Sequence, residues 1–345
     1  YYEYEINLKA DKLHVGSEYI VDEILASIPN HPEKVKWYLF RIPVQQIKGK
    51  VGNISGFTSI RYARMILTEF EQPVVLRLAN FRMVGAQWRR YTENLRDGGI
   101  IADPEPGADN VAVSVVNIEE NSRATEIKSP YVVPPGVIRD RDNTSSIPRQ
   151  LNEQSIQMCI EDLEDGDSRA IYKNVGMDFF NYGRVKMFTH ANSLLTNDDE
   201  LVVFMRLGTD FDQNYYEIEI PLKISKNTFD EGERAVWPEE NEFNFALAQL
   251  YKLKVRRDRE NAPLSVLYPL NGPSVEGRHG FRILGRPDLT QVKVIMIGVR
   301  NPKSADGKSH NVCLWANELR LTDFDRTAGW AVNTAINTKL ADFAV

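Results

Sequence analysis

The sequence predicts an all-β protein made of repeated jelly-roll-like antiparallel β-sandwich domains, one complete and one partial, with a short helix in the complete one. Three observations predict it. Apolar and polar residues alternate along many short runs, the pattern of strands buried on one face. Those runs follow one another closely, separated by Gly, Asn and Asp clusters, as in sandwiches and barrels. One strand-like stretch also occurs twice: Tyr1–Leu8 reads YYEYEINL and Tyr215–Leu222 reads YYEIEIPL, with six of eight positions identical.

The repeat organises the chain. Downstream of its first copy, Ser59–Thr68 lies over Gln291–Arg300, and Leu78–Val84 lies over Trp315–Leu321. Spacing grows along the alignment, so the second copy carries longer loops, where insertions are tolerated. Ahead of Tyr215, Leu151–Asp210 holds several strand-like runs; ahead of Tyr1 no counterpart exists. Residues 1–91 therefore read as the back half of a first sandwich domain whose missing strands an upstream part supplies. Residues 92–150 read as a Pro-rich extended connector, 151–326 as a complete domain, and the whole as an internal fragment.

In order, Tyr2, Tyr4, Ile6 and Leu8 share one face of a half-buried strand. Gly16–Ile28 reads as a strand edge followed by a loop, and Trp37–Ile42 as an aromatic strand ended by Pro43. Arg61–Leu67 and Val74–Val84 are the strongest strand candidates of the first copy. Within the connector only Val111–Ile118 resembles a strand; a surface-lying connector is the favoured reading, an edge strand added to a neighbouring sheet the alternative. In the second copy Ser155–Leu163, Arg184–Ala191, Glu200–Leu207, Tyr215–Ile224, Asn241–Phe245, Phe281–Leu284, Val292–Arg300 and Val312–Leu321 read as strands. Ala246–Asp258 fits either period, and its charged end with Asn261-Ala262-Pro263 after it favours a helix.

Bulk properties bound the function. The chain has 345 residues, 42% hydrophobic and 26% charged, enough to bury a core in two domains. A net charge of −6 leaves no electrostatic footprint for nucleic acid. No apolar run is long enough for a transmembrane helix, and the first residues carry no signal-peptide pattern, as expected if the true N-terminus lies elsewhere. Cys159 and Cys313 fit either two buried free thiols, the favoured reading, or one disulfide between neighbouring strands.

No catalytic constellation emerges. His14, His31, His190, His279 and His310 are scattered without metal-ligand spacing, and no phosphate loop, G-x-S-x-G or HExxH is present. The acidic loop Glu161–Asp167 makes Asp165 and Asp167 candidates for structural calcium, although its spacing is not that of a regular calcium loop and a solvated turn fits better. No other cofactor is expected. Trp37, Trp237 and Tyr215 are candidates for a sugar-stacking platform, against the plainer reading of core packing or loop anchoring. Asn53-Ile54-Ser55 and Asn143-Thr144-Ser145 are short glycosylation sequons. A carbohydrate-binding module of a cell-surface protein is thus one reading; a sandwich glycosidase would need paired carboxylates in a cleft.

Several separated strings resemble one family: KVGNISGFTSIRYARM, PVVLRLANFRMV followed by QWRRY, VVNIEENS, YVVPPGV, RQLNEQS, LGTDFDQNYYEIEIPL, VWPEENEFN and LWANELRLTDFDR with TAGWA. Over nearly its whole length the chain resembles the SprA/Sov family, giant outer-membrane proteins of type IX secretion and gliding motility. The resemblance implies a non-enzymatic segment of a protein-secretion translocon whose full chain forms a large transmembrane β-barrel. Its implied partners are the remainder of the same polypeptide, a PorV-like outer-membrane barrel, a plug protein and secreted cargo. Its implied location is the outer membrane, with the domains facing the cell exterior favoured over the periplasm. It transfers no individual site residue.

At the C-terminus the pattern changes. Trp330, Val332, Ile336 and Leu340 alternate with Ala331, Asn333, Ala335, Asn337 and Lys339, apolar on one face and small or polar on the other. A transmembrane barrel strand has this character, and so does a sandwich strand with one wet face. The domain already closes at Leu321, and the resembling family returns to its barrel here. Residues 327–345 are therefore expected to begin a barrel strand.

Overall fold

A computed structural model of the chain describes residues 1–27, 34–44, 46–52, 54, 62–70, 72–79, 81, 83, 87–92, 95, 110–123, 129–139, 141–142, 149–225 and 232–326. The acceptor asparagines of the glycosylation sequons, much of the connector and the expected barrel strand at 327–345 lie outside them. The chain falls into two compact units, residues 1–82 and 83–345.

Within the first unit the described strands are few. β1 (Tyr2–Glu3) would be the start of the repeat's first strand, but only these two residues pair, with β4 (Gly49–Lys50). β2 (Ile20–Ser27) and β3 (Lys34–Phe40) form an antiparallel hairpin in which Trp37 lies opposite Ile24 and Lys36 reaches Glu23 at 3.0 Å. Residues 62–70 and 73–79 carry no strand or helix and are exposed throughout. For the described residues of Arg61–Leu67 and Val74–Val84 this corrects the expectation: a strand-prone sequence becomes a strand only when a neighbour takes its backbone hydrogen bonds.

The second unit is a jelly roll. β5 (Arg89–Arg90), β6 (Val111–Asn117), β7 (Arg141–Asp142) and β8 (Arg149–Gln150) precede its main strands. Those are β9 (Gln154–Leu163), β10 (Ser168–Met177), β11 (Tyr182–Asn192), β12 (Val202–Gly208), β13 (Tyr215–Pro221), β14 (Phe243–Ala246), β15 (Ser274–Glu276), β16 (His279–Leu284), β17 (Val292–Arg300) and β18 (His310–Phe324). One sheet runs β15-β16-β13-β12-β17-β10-β5 and the other β14-β11-β18-β9-β6, every pairing antiparallel. The strands β9 to β12 and β13 to β18 wrap as one long hairpin rolled across both sheets, the double Greek key of a jelly roll.

Inward residues of both sheets form one core: Met158, Ile160, Val185 and Leu314 from one, Val203, Met205, Ile218 and Ile297 from the other. Each such side chain contributes about 1.5–3 kcal/mol when fully buried. The helix α1 (Leu247–Arg259) lays Leu247, Leu250, Leu253 and Arg257 against the core. It ends where three arginines complement the carbonyl end of the dipole and Asn261 turns left-handed at φ 52° ahead of Pro263.

In the second unit one strand escapes the sequence pattern and one expectation changes. Alternation does not reveal the strand β10, because its Arg169, Lys173 and Asn174 obscure the pattern. Val111–Asn117 takes the alternative reading: it pairs with β9 as the edge of the five-stranded sheet, matching Val113 with Met158 and Val115 with Ile156. A branched apolar strand beside an open edge completes that edge's ladder and buries one face.

Candidate functional site

The acidic loop between β9 and β10 serves the fold. Asp165 accepts hydrogen bonds from the Ser304 backbone at 2.8 Å and hydroxyl at 3.0 Å, tying two loops together. Asp167 is buried and lies 3.6 Å from Arg169, while its carbonyl accepts from the Asn301 amide at 2.9 Å. Both calcium candidates are thus occupied by protein donors, and among the described residues no three His, Cys, Asp or Glu side chains converge.

More polar chemistry sits on the outer face of the seven-stranded sheet, where sequence reasoning placed nothing. Alternate residues of β12, β13, β16 and β17 put Arg206, Glu217, Glu219, Arg282 and Arg300 side by side. Arg206 donates to Glu217 at 2.7 Å, and Arg300 donates to Glu217 and Glu219 at 2.8 Å each. Arg282 approaches Glu219 at 3.7 Å. Burial opposes the ionisation of Glu217, yet the guanidiniums of Arg300 and Arg206 outweigh it and hold the carboxyl at about 2. Glu219 goes the other way: burial raises it despite Arg282 and Arg300.

Aromatic rings seal this ladder. The Arg206 guanidinium lies 4.2 Å from the Tyr215 ring centroid and Arg300 lies 5.0 Å from that of Phe204. Tyr91 packs edge-on against Phe211 and Tyr172, and with Leu95 it buries Phe204 and Met296. Tyr215 is only 5% exposed, and burial pushes its phenol up to about 12. It is an element of the ladder's lid, not the sugar platform its sequence position suggested.

Opposite, on the outer face of the five-stranded sheet, a second sealed cluster holds Tyr131, Phe188, His190, Trp237 and Trp315. Trp237 is 0% exposed, which rules out the platform alternative and fits the plainer reading of core packing, and its indole N–H donates to the Val132 carbonyl at 2.7 Å. The segment around Tyr131 and Val132 folds over the sheet and covers it. Tyr131 donates to Glu153 at 2.5 Å, and burial, then that bond, raises its pKa. His190 stacks on Trp315 with centroids 4.0 Å apart, and its Nδ1 meets the Val236 carbonyl at 2.5 Å. Its Nε2 is buried without a hydrogen-bond partner. Burial therefore lowers its pKa to about 4, against the Val236 bond that would raise it. Trp37, the remaining platform candidate, is half-buried in the β2–β3 hairpin of the first unit, and within the second unit Tyr215 and Trp237 lie on opposite sheets.

A third feature corrects the favoured thiol reading. Cys313 lies directly opposite Cys159 across β18 and β9, and the two form a disulfide. Spacing along the chain does not reveal this; only the antiparallel register does. A shallow recess of about 610 Å³ is lined by Asn197, Asp198, Lys223, Ile224, Arg234 and Pro238, and Lys223 there is held by Glu240 at 2.6 Å. These arrangements bind strands and covering segments to one another.

The family described as motility related/secretion protein (SprA_N) matches residues 1–345 of the chain. A search of curated proteins finds no match.

Proposed function

Since the chain belongs to the SprA_N family of motility related/secretion proteins, we propose that it is a non-enzymatic structural segment of an outer-membrane translocon for type IX secretion and gliding motility. The observation that carries the envelope side of this reading is the Cys159–Cys313 disulfide, since structural disulfides persist in oxidising compartments outside the cytosol. The two sealed outer faces support the scaffold side. Their arginines, carboxylates and rings are engaged with one another, which makes a rigid body suited to be held against a barrel. In this reading the jelly roll is attached to a large β-barrel, a PorV-like barrel and a plug protein are its neighbours, and secreted cargo passes it.

The test is in cells carrying the intact gene. Removing residues 151–326 in frame should abolish the release of type IX cargo into the medium and leave that cargo in the periplasm. Normal release would overturn the proposal. Protease accessibility of residues 92–150 on intact cells then reports the side, with cleavage expected for an exterior location.

A further inference from the structure

An Asn or Asp side chain can close a cyclic imide with the backbone nitrogen of the next residue under three conditions. The next residue must be small, the side chain must be free to turn, and that nitrogen's N–H must be unengaged. Among the described residues a following glycine or serine occurs at Asn121-Ser122, Asp165-Gly166, Asp167-Ser168, Asn192-Ser193, Asn271-Gly272 and Asp306-Gly307.

All but one of these side chains are held. Asn121 accepts from the Asn117 backbone N–H at 3.1 Å, and Asn192 donates to the Ser129 hydroxyl at 3.2 Å. Asp165 accepts from Ser304, and Asp167 is buried beside Arg169. Asp306 accepts from the Ser304 hydroxyl at 2.6 Å and pairs with Lys308 at 2.7 Å.

Asn271-Gly272 is the exception. It forms the tip of an exposed turn, the place where an Asn-Gly step is expected. The turn is anchored at both ends: Tyr268 exchanges backbone hydrogen bonds with Ile283, and β15 pairs with β16. Between those anchors no hydrogen bond within the described residues reaches the Asn271 side chain or the Gly272 N–H. Gly272 sits at φ 99°, where a glycine costs nothing. A Cβ added to it would have no atom within 4 Å, so the approach to its nitrogen is open. The preceding Leu270 is 69% exposed, and neither it nor Asn271 belongs to the core.

We propose that Asn271 is a site of spontaneous deamidation, selected by the fold from among the sequence's candidates. The Gly272 nitrogen, its proton lost to hydroxide, attacks Cγ of Asn271. The new N–C bond forms as the carboxamide C–N bond breaks, and ammonia leaves. Water then opens the imide at either carbonyl carbon. Opening at Cγ breaks the new bond and gives aspartate. Opening at the main-chain carbonyl breaks the original peptide bond and gives isoaspartate, with the backbone now running through Cβ and Cγ. The net change is amide plus water to acid plus ammonia, with no oxidation or reduction. It adds one negative charge at an edge of the seven-stranded sheet, outside the core. The chemistry is independent of whether the protein serves secretion.

The test compares the 345-residue chain folded and in denaturant, incubated at mildly alkaline pH and followed by peptide mass mapping. Asn271 should convert in the folded chain within about threefold of its rate in denaturant. Asn121 and Asn192 should convert at least about tenfold more slowly folded than unfolded, because their release requires local opening. The Asn271 peptide should carry isoaspartate, detected by labelling with an isoaspartyl methyltransferase, and its rate should rise with hydroxide concentration. Asn271→Gln should keep the denaturation midpoint of the wild type and lose the label. Protection of Asn271 in the folded chain, equal folded and unfolded rates at Asn121 and Asn192, or an undiminished label in Asn271→Gln would each overturn the proposal.

Discussion

Lowering the pH from 7 to 4 should destabilise the second unit through His190. The imidazole is wholly buried against Trp315, one nitrogen is taken by the Val236 carbonyl, and the other has no acceptor. Protonation would place a charge and an orphan N–H in that cluster, so the folded-state pKa falls from 6.5 to about 4. The sign follows from linkage: the unfolded chain takes up the proton below pH 6.5 and the folded one does not, so stability is full above that value and lost as pH falls toward 4. At about 1.4 kcal/mol per pH unit across that window, the loss by pH 4 is about 3 kcal/mol. Denaturant titrations at a series of pH values measure it, comparing the wild-type chain with His190→Gln. His279, lowered by burial, adds a slope of the same sense, and Glu219, raised by burial, adds one of opposite sense. Both are present in the two proteins and cancel in the difference. The variant should be flatter than wild type between pH 6.5 and 4, whatever its stability at pH 7. Equal slopes would refute the account of a neutral, desolvated imidazole.

Other perturbations have equally direct readouts. Glu217→Gln strands Arg206 and Arg300 in a buried face and should cost about 3–5 kcal/mol, read as a lowered denaturation midpoint; an unchanged midpoint would mean the ladder is solvated. In the wild type, the stability contributed by ionised Glu217 should persist above pH 4.5 and fade as pH drops toward 2, a window below that of His190. Trp237→Ala removes a fully buried indole and its bond to Val132. It should cost about 3–5 kcal/mol and expose residues 129–137 to limited proteolysis, and persistent protection there would contradict the covering role of that segment. Reducing the Cys159–Cys313 bond reopens a closure of 154 residues. It should lower stability by up to about 5 kcal/mol on the chain-entropy account, measured by denaturation with and without reductant.

Local pattern carried much of this protein. Period-two alternation marked most strands of the second unit within a few residues, and the charged end before Asn261-Ala262-Pro263, more than the period, marked its helix. Those signals are local because a strand's two faces and a helix's stripe are properties of successive side chains. Alternation cannot say what lies over the outward face. Arg206, Glu217, Glu219, Arg282 and Arg300 occupy outward positions of their strands, yet Tyr91, Leu95 and Phe211 fold over that sheet and leave them paired away from solvent. For Trp237 and Tyr215 the sequence left a sugar platform open beside the plainer reading of core packing, and covering segments far off in sequence bury both.

Register was decided in the same way. Cys159 and Cys313 are 154 residues apart, and only the antiparallel pairing of β9 with β18 sets one against the other. The strongest strand candidates of the first unit failed for the complementary reason. Met65, Leu67, Val75 and Leu78 have every local preference for a strand, and among the described residues no neighbouring backbone meets them. The sequence by itself determined which segments can become strands and which face of each is apolar. The tertiary structure alone decided which of them do, because a strand's hydrogen bonds, unlike a helix's, belong to two segments at once.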